Sequence, residues 1–186
     1  MIINIKNMVC DRCISAVVAI FKDLNIRVAA LQLGEVETQD EISSATLKVL
    51  NDHLQKQGFE ILDDAVKTQI EQIKKIIILK INALDIAEDF LLSKFVSEHF
   101  PKDYSSLSKT FSLHENVTLE QYFILQKIEK VKELLLYNEF TLTEISQKLG
   151  YKSVQHLSAQ FRNTTGFTPT FFKKLKSKNR ISLDQI

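Results

Sequence analysis

Residues 141–169 read TLTEISQKLGYKSVQHLSAQFRNTTGFTP, and the turn chemistry within this stretch decides the fold of the C-terminal part of the chain. Thr141 followed three residues later by Glu144 is a capping box, in which the Thr oxygen accepts from one backbone N–H and the Glu carboxylate from another. The spacing predicts a helix starting near Leu142. Gly150, which tolerates a left-handed backbone, ends it. Ser153 then caps a second helix on which Val154, Leu157 and Phe161 recur at helical spacing. Gly166 ends that helix, and Thr168-Pro169 supplies an N-cap with proline at the first helical position. A last short helix carries Phe171, Phe172 and Leu175. Two short helices joined by a tight Gly-containing turn constitute a helix-turn-helix.

The unit occurs twice. Residues 78–123 align without a gap on residues 128–173, with Phe90/Phe140, Leu92/Leu142, Leu107/Leu157, Ser108/Ser158, Phe111/Phe161 and Thr118/Thr168 identical. Phe95/Ile145, Asn116/Gly166, Val117/Phe167 and Tyr122/Phe172 match in kind; Asn and Gly are the residues that best tolerate left-handed backbone. The first copy departs from the second at the turn, where Phe100-Pro101 stands in place of the Gly. Between the copies, Thr118-Leu-Glu-Gln121 is another capping box, and Leu119, Tyr122, Phe123, Leu125, Ile128, Val131, Leu134 and Leu135 predict one apolar face on a continuous helix to about Asn138. Such a helix is about 30 Å long, against about 34 Å between successive major-groove faces of a duplex. It can space two motifs along DNA, or simply hold two small bundles together.

In this spacing Glu144, Ile145, Ser146, Gly150, Tyr151, Leu157, Ser158, Phe161, Gly166, Phe167, Thr168 and Pro169 closely resemble the second helix-turn-helix of AraC-type transcriptional regulators, over roughly residues 82–176. The resemblance implies an all-α DNA-binding domain with two such motifs, assigned to residues 83–178, and double-stranded DNA as partner. The second recognition helix, from Ser153 to about Asn163, turns its apolar residues to the bundle and leaves Gln155, His156, Ser158, Ala159, Gln160 and Arg162 outside, with Lys152 ahead of it. Gln can pair with adenine through both ends of its amide, His and Ser donate or accept, and Arg162 suits phosphate. AraC-type domains often carry Arg where this chain has Ala159, so specificity is expected to lean on Gln155, His156 and methyl contacts. In the first copy the corresponding helix, about Asp103 to Ser112, exposes Tyr104, Ser105, Ser108 and Lys109, and two readings stand: base contact, or packing with phosphate contact only.

Composition agrees with a globular protein of one or two domains: 186 residues, 25% charged, net charge +1. That small net charge conceals an asymmetry. Residues 1–72 carry seven Lys/Arg against eleven Asp/Glu, and residues 126–180 carry eleven against four. Lys173, Lys174, Lys176, Lys178 and Arg180, placed beside a helix-turn-helix, form a candidate phosphate clamp. Ile76-Ile-Ile-Leu79 is too short to cross a bilayer and is flanked by Lys74, Lys75 and Lys80. It is expected to lie on a connecting helix over residues 64–82, and with no signal peptide read the protein is expected in the cytoplasm, without membrane contact.

Residues 1–63 form a different unit. Met1 to Lys6 alternates as a strand, Ile14 to Leu24 is helical by spacing, Ile26 to Leu33 reads as a second strand that turns at Gly34-Glu35 into a short third, Ser44 to Gln57 is a helix with Leu47, Leu50 and Leu54 inward, and Phe59 to Leu62 is a last strand after Gly58. The order βαββαβ is that of ferredoxin-like domains, so the expected fold class is a ferredoxin-like α+β domain followed by the all-α tandem helix-turn-helix domain. Between the first strand and first helix, Asn7-Met8-Val9-Cys10-Asp11-Arg12-Cys13 resembles the Met-x-Cys-x-x-Cys loop of heavy-metal-associated domains, with Asn7 where that family has Gly. The resemblance implies soft-cation binding, typically Cu(I), by Cys10 and Cys13. A helix N-terminus near Cys13 should favour thiolate, and sulfur selects soft metals. With two cysteines in the chain, zinc lacks its usual four ligands. Three readings stay open: soft-metal binding, thiol redox sensing, and a loop without ligand.

No catalytic constellation is present in the sequence. His53, His99, His114 and His156 fall on different elements without a cysteine or carboxylate partner set, and no Gly-rich phosphate loop occurs. The expectation is a non-enzymatic, sequence-specific DNA-binding regulator with no required cofactor, able to respond to soft metal or thiol state, with a homodimer left open. The competing reading is a Cu(I) carrier or sensor whose C-terminal bundle binds protein instead of DNA.

Overall fold

The computed structural model describes residues 1–175. Two compact units divide between Lys75 and Ile76. In the first, β1 (Ile2–Lys6), α1 (Asp11–Asp23), β2 (Val28–Gln32), β3 (Glu35–Thr38), α2 (Ser44–Lys56) and β4 (Glu60–Leu62) follow one another as β, α, β, β, α, β. The four strands form one sheet in the order β2-β3-β1-β4, every neighbouring pair antiparallel. Alternation decides its faces: Ile3 and Ile5 of β1 are buried and join Val36 of β3, Val17, Ile20 and Phe21 of α1, and Leu50 and Leu54 of α2 in one core. Leu47, expected inward, is only partly buried against that core. Gly34 takes φ +77, which lets the β2–β3 turn close in two residues.

Helix α1 begins at Asp11, three residues before the start expected from apolar spacing, because Cys10 adopts the extended N-cap backbone (φ −158, ψ 171). The cysteines are therefore a cap and a first-turn residue of a helix, and not a free loop. Helix α3 (Ala65–Asn82) opens on Asp64, whose carboxylate accepts from the Lys67 N–H at 2.8 Å, and the division between the units falls inside it.

The second unit is helical: α4 (Leu92–His99), α5 (Tyr104–Glu115), α6 (Leu119–Tyr137), α7 (Leu142–Lys148), α8 (Val154–Thr165) and α9 (Pro169–Lys174). Both capping boxes form, on Thr118 with Gln121 and on Thr141 with Glu144. Asn116 and Gly166, equivalent in the repeat, both end their helices in the left-handed region, at φ 57 and 82. In the first copy, Phe100 is extended (φ −131, ψ 138) because the ring of Pro101 disfavours a helical residue before it, so proline ends α4 where Gly150 follows α7. The expectation of a single apolar face on α6 needs correction. Gln126, Lys127, Glu129 and Lys132 are buried as well, since α5, α7, α8 and α9 all pack on this helix.

Candidate nucleic-acid interface

The geometry of α8 is set from its first residue. Ser153 Oγ accepts from the His156 N–H at 3.1 Å, which fixes the first turn and leaves the Ser hydroxyl hydrogen for another partner. Leu157 and Phe161 are fully buried, and Phe161 meets Phe172 of α9 edge-on at 5.5 Å. With that face committed, Lys152, Gln155, His156, Ala159 and Arg162 are exposed, whereas Ser153, Ser158 and Gln160 are half-buried. The outward set read from spacing is thus split. Gln160 accepts a hydrogen bond from the Tyr151 hydroxyl at 2.8 Å and so turns partly inward.

The turn before α8 is held by a segment that sequence spacing did not point to. Gly150 sits at φ +65, and a Cβ there would lie 2.6 Å from the Ala87 carbonyl oxygen and 2.7 Å from Ile86 Cγ2. The Ile86 N–H donates to the Lys148 carbonyl at 3.1 Å, and Ile86 and Leu149 form a parallel β-bridge. Gly150 is therefore required for space as well as for backbone conformation. Lys127 was also missed. It lies on the Phe123–Lys127–Val131–Leu135 stripe of α6, a spacing of four that could have placed it on a packed face. Its ammonium is 3.7 Å from the Tyr151 ring centroid, and burial pushes its pKa down to about 8.

In the first copy α5 starts on Asp103, which accepts from the Ser106 N–H at 2.9 Å and from the Ser105 hydroxyl; that hydroxyl bond holds the exposed carboxyl below its usual range. Lys109 is exposed, as is Ser105. Tyr104 is half-buried and its hydroxyl donates to Glu120, so burial and this carboxylate raise its pKa while the bond lowers that of Glu120. Two carboxylates thus stand at the start of α5, where α8 has only a serine cap. Lys173 and Lys174 are exposed at the end of α9, and Lys176, Lys178 and Arg180 lie outside the described residues.

In the first unit Cys10 and Cys13 are free, half-buried thiols with sulfurs 3.5 Å apart. Burial pushes the Cys13 thiol up, contrary to the thiolate expected from a helix N-terminus, because desolvation of the charge outweighs the backbone N–H groups near it. Met8 is buried in the core, and no group of three or more His, Cys, Asp or Glu that could hold a metal occurs among the described residues. No helix among those residues is long and apolar enough to cross a membrane.

With the capping boxes at Thr118 and Thr141, a buried connecting helix and an exposed polar face on α8 in place, the C-terminal unit has the architecture of a helix-turn-helix domain. Residues 96–175 match the family model described as a helix-turn-helix domain. The chain is similar to the xylose operon regulatory protein of Haemophilus influenzae, at 30% identity over 78 residues, 42% of this chain and 20% of that protein. It is similar also to the Msm operon regulatory protein of Streptococcus mutans, at 27% over 118 residues, 60% of this chain and 38% of that protein. Among solved structures, the C-terminal domain of AraT, a response regulator from Geobacillus stearothermophilus, superposes with a TM-score of 0.52 at 19% identity, covering 64% of this chain and 92% of that one, which speaks to the fold. The chain spans a minority of the length of both curated relatives, and the stretches matched do not extend to those proteins as wholes.

Proposed function

We propose that this protein is a sequence-specific, double-stranded-DNA-binding transcriptional regulator that reads bases chiefly with α8 and is not an enzyme. The observation that carries the reading is the exposed row Gln155, His156, Ala159 and Arg162 on a helix whose start is fixed by Ser153 and whose approach is fixed by Gly150. Amide and imidazole groups on a rigid helix can meet base edges, and Lys152, Arg162, Lys173 and Lys174 can meet phosphates. The carboxylates of Asp103 and Glu120 favour a lesser role for the first copy, in which Ser105, Tyr104 and Lys109 make backbone contacts. Footprinting on genomic DNA fragments at several salt concentrations tests this: specific protection is expected, with affinity falling linearly in log salt through counterion release. The length protected also separates one chain from a dimer. Absence of salt-dependent duplex binding removes the reading.

The proposal includes a ferredoxin-like assignment for the first unit, supported by its element order and by the strand order β2-β3-β1-β4. It also includes a response to soft metal or thiol state through Cys10 and Cys13. Two neighbouring sulfurs, with no third ligand grouped with them among the described residues, suit a two-coordinate soft cation such as Cu(I), and they do not suit zinc. Cu(I) there would link the cap and the first turn of α1. Binding requires loss of both thiol protons, so the raised Cys13 pKa makes uptake weaken as pH falls.

A further inference from the structure

We propose, resting on the reading of α8 as the recognition helix, that Tyr151 is a positioning residue which holds Gln160 as a hydrogen-bond donor toward an acceptor on the duplex. Tyr151 precedes α8 and is 4% exposed, so its ring has little freedom. The Lys127 ammonium stands 3.7 Å from the ring centroid, and the His156 ring meets it edge-on at 5.5 Å and 83°. A ring constrained in this way fixes the place of its hydroxyl, which donates to Gln160 Oε1 at 2.8 Å. A carboxamide has an acceptor at one end and a donor at the other. With the oxygen held inward against a buried phenol, the NH2 is the group left for a partner outside. Gln155, on the exposed face of the same helix with no such tether, keeps both ends for adenine, whereas Gln160 is matched to an acceptor: a phosphate oxygen or the N7/O6 edge of guanine.

The test uses the full chain as wild type, Tyr151→Phe, Gln160→Ala and Gln160→Glu, with duplexes selected by the wild type from a randomised pool. Tyr151→Phe keeps the ring with its Lys127 and His156 contacts and removes only the hydroxyl. Gln160→Glu keeps an oxygen for Tyr151 but turns a carboxylate outward in place of the NH2. In the free protein, the Gln160 side-chain amide signals should lie away from the positions of a free glutamine in the wild type and move toward them in Tyr151→Phe. On the duplex, Tyr151→Phe should weaken binding about three- to tenfold, and Gln160→Glu should bind at least about tenfold more weakly than Gln160→Ala, through the unfavourable pairing of acceptor with acceptor. A loss confined to sequences with guanine at one position identifies a base edge, and an equal loss on all sequences identifies a phosphate. Unchanged Gln160 signals in Tyr151→Phe, or Gln160→Glu binding as well as Gln160→Ala, overturn the proposal. A wild type that binds no duplex overturns the recognition reading itself, while the free-protein spectra still decide whether Tyr151 holds Gln160.

Discussion

Gly150 and Gly166 look alike as helix-ending glycines, yet their surroundings differ. Both sit at positive φ, 65 and 82, but an added Cβ at Gly166 meets nothing within 4 Å, whereas at Gly150 it would strike the Ala87 carbonyl. Gly166→Ala should therefore cost only the left-handed backbone penalty of about 1 kcal/mol. Gly150→Ala should cost at least about 3 kcal/mol, because a backbone oxygen at 2.6 Å cannot move away alone. Urea unfolding followed by circular dichroism compares the two, and equal losses would mean that the strap at Ile86 and Ala87 yields freely. Also at the residue level, Gln155→Ala with His156→Ala should weaken specific binding more than non-specific binding, since on the proposed reading these exposed side chains meet base edges. Lys173→Ala with Lys174→Ala should weaken all duplexes alike and flatten the salt slope. Titrations of cognate and random duplexes at several salt concentrations check this pair, and a uniform loss from the first double variant would show that the reading face is misassigned.

Helix α6 carries its cost in the middle. Lys127 is 7% exposed, and its pKa is pushed down to about 8 from 10.5, so the folded state releases its proton earlier than the unfolded chain does. The sign follows from linkage: between about pH 8 and 10.5 the unfolded state binds more protons, so this group's contribution to stability rises with pH, and below pH 8 the full burial cost is present. The Tyr151 ring offsets part of that cost by attracting the ammonium. Lys127→Met should be more stable than wild type at pH 7 by about 2 kcal/mol, with the advantage shrinking through pH 8 to 10.5. Chemical denaturation across that range measures it, and a difference that does not vary with pH would remove burial of the charge as its cause. The apolar stripe of α6 was legible from spacing, but the burial of its polar residues was not. Amphipathic periodicity assumes one wet face, and a helix packed by α5, α7, α8 and α9 has little surface left to wet.

At the level of the whole chain, an acidic N-terminal stretch carries the thiols and a basic C-terminal stretch carries the helix-turn-helix, and α3 belongs to both units. Cys10→Ser with Cys13→Ser should leave the fold and basal duplex binding intact, since both thiols are only half-buried and Cys13 packs at the margin of the core, and should abolish Cu(I) uptake and any oxidant response. Equilibrium dialysis of the reduced protein against a competing chelator, beside the double variant, reads the first step. Equal uptake by both proteins would leave the thiols without a metal role. Uptake alone does not make a regulator: metal shifts DNA affinity only if it binds one arrangement of the protein more tightly than another.

The sequence by itself determined the parts that rest on near neighbours. The boxes at Thr118 and Thr141, the caps at Ser153 and Thr168, the left-handed ends at Asn116 and Gly166 and the fifty-residue repeat were all readable, because a cap or turn involves groups within about four residues. Only the tertiary structure decided what fills the space around them. Packing brought Ile86 against Gly150, Lys127 over Tyr151, the Tyr151 hydroxyl to Gln160 and Glu120 to Tyr104. Desolvation likewise raised the Cys13 thiol against the local pull of a helix N-terminus. The partners or surrounding elements in these cases lie beyond the reach of periodicity and capping, and they meet only when the helices and strands close on a core.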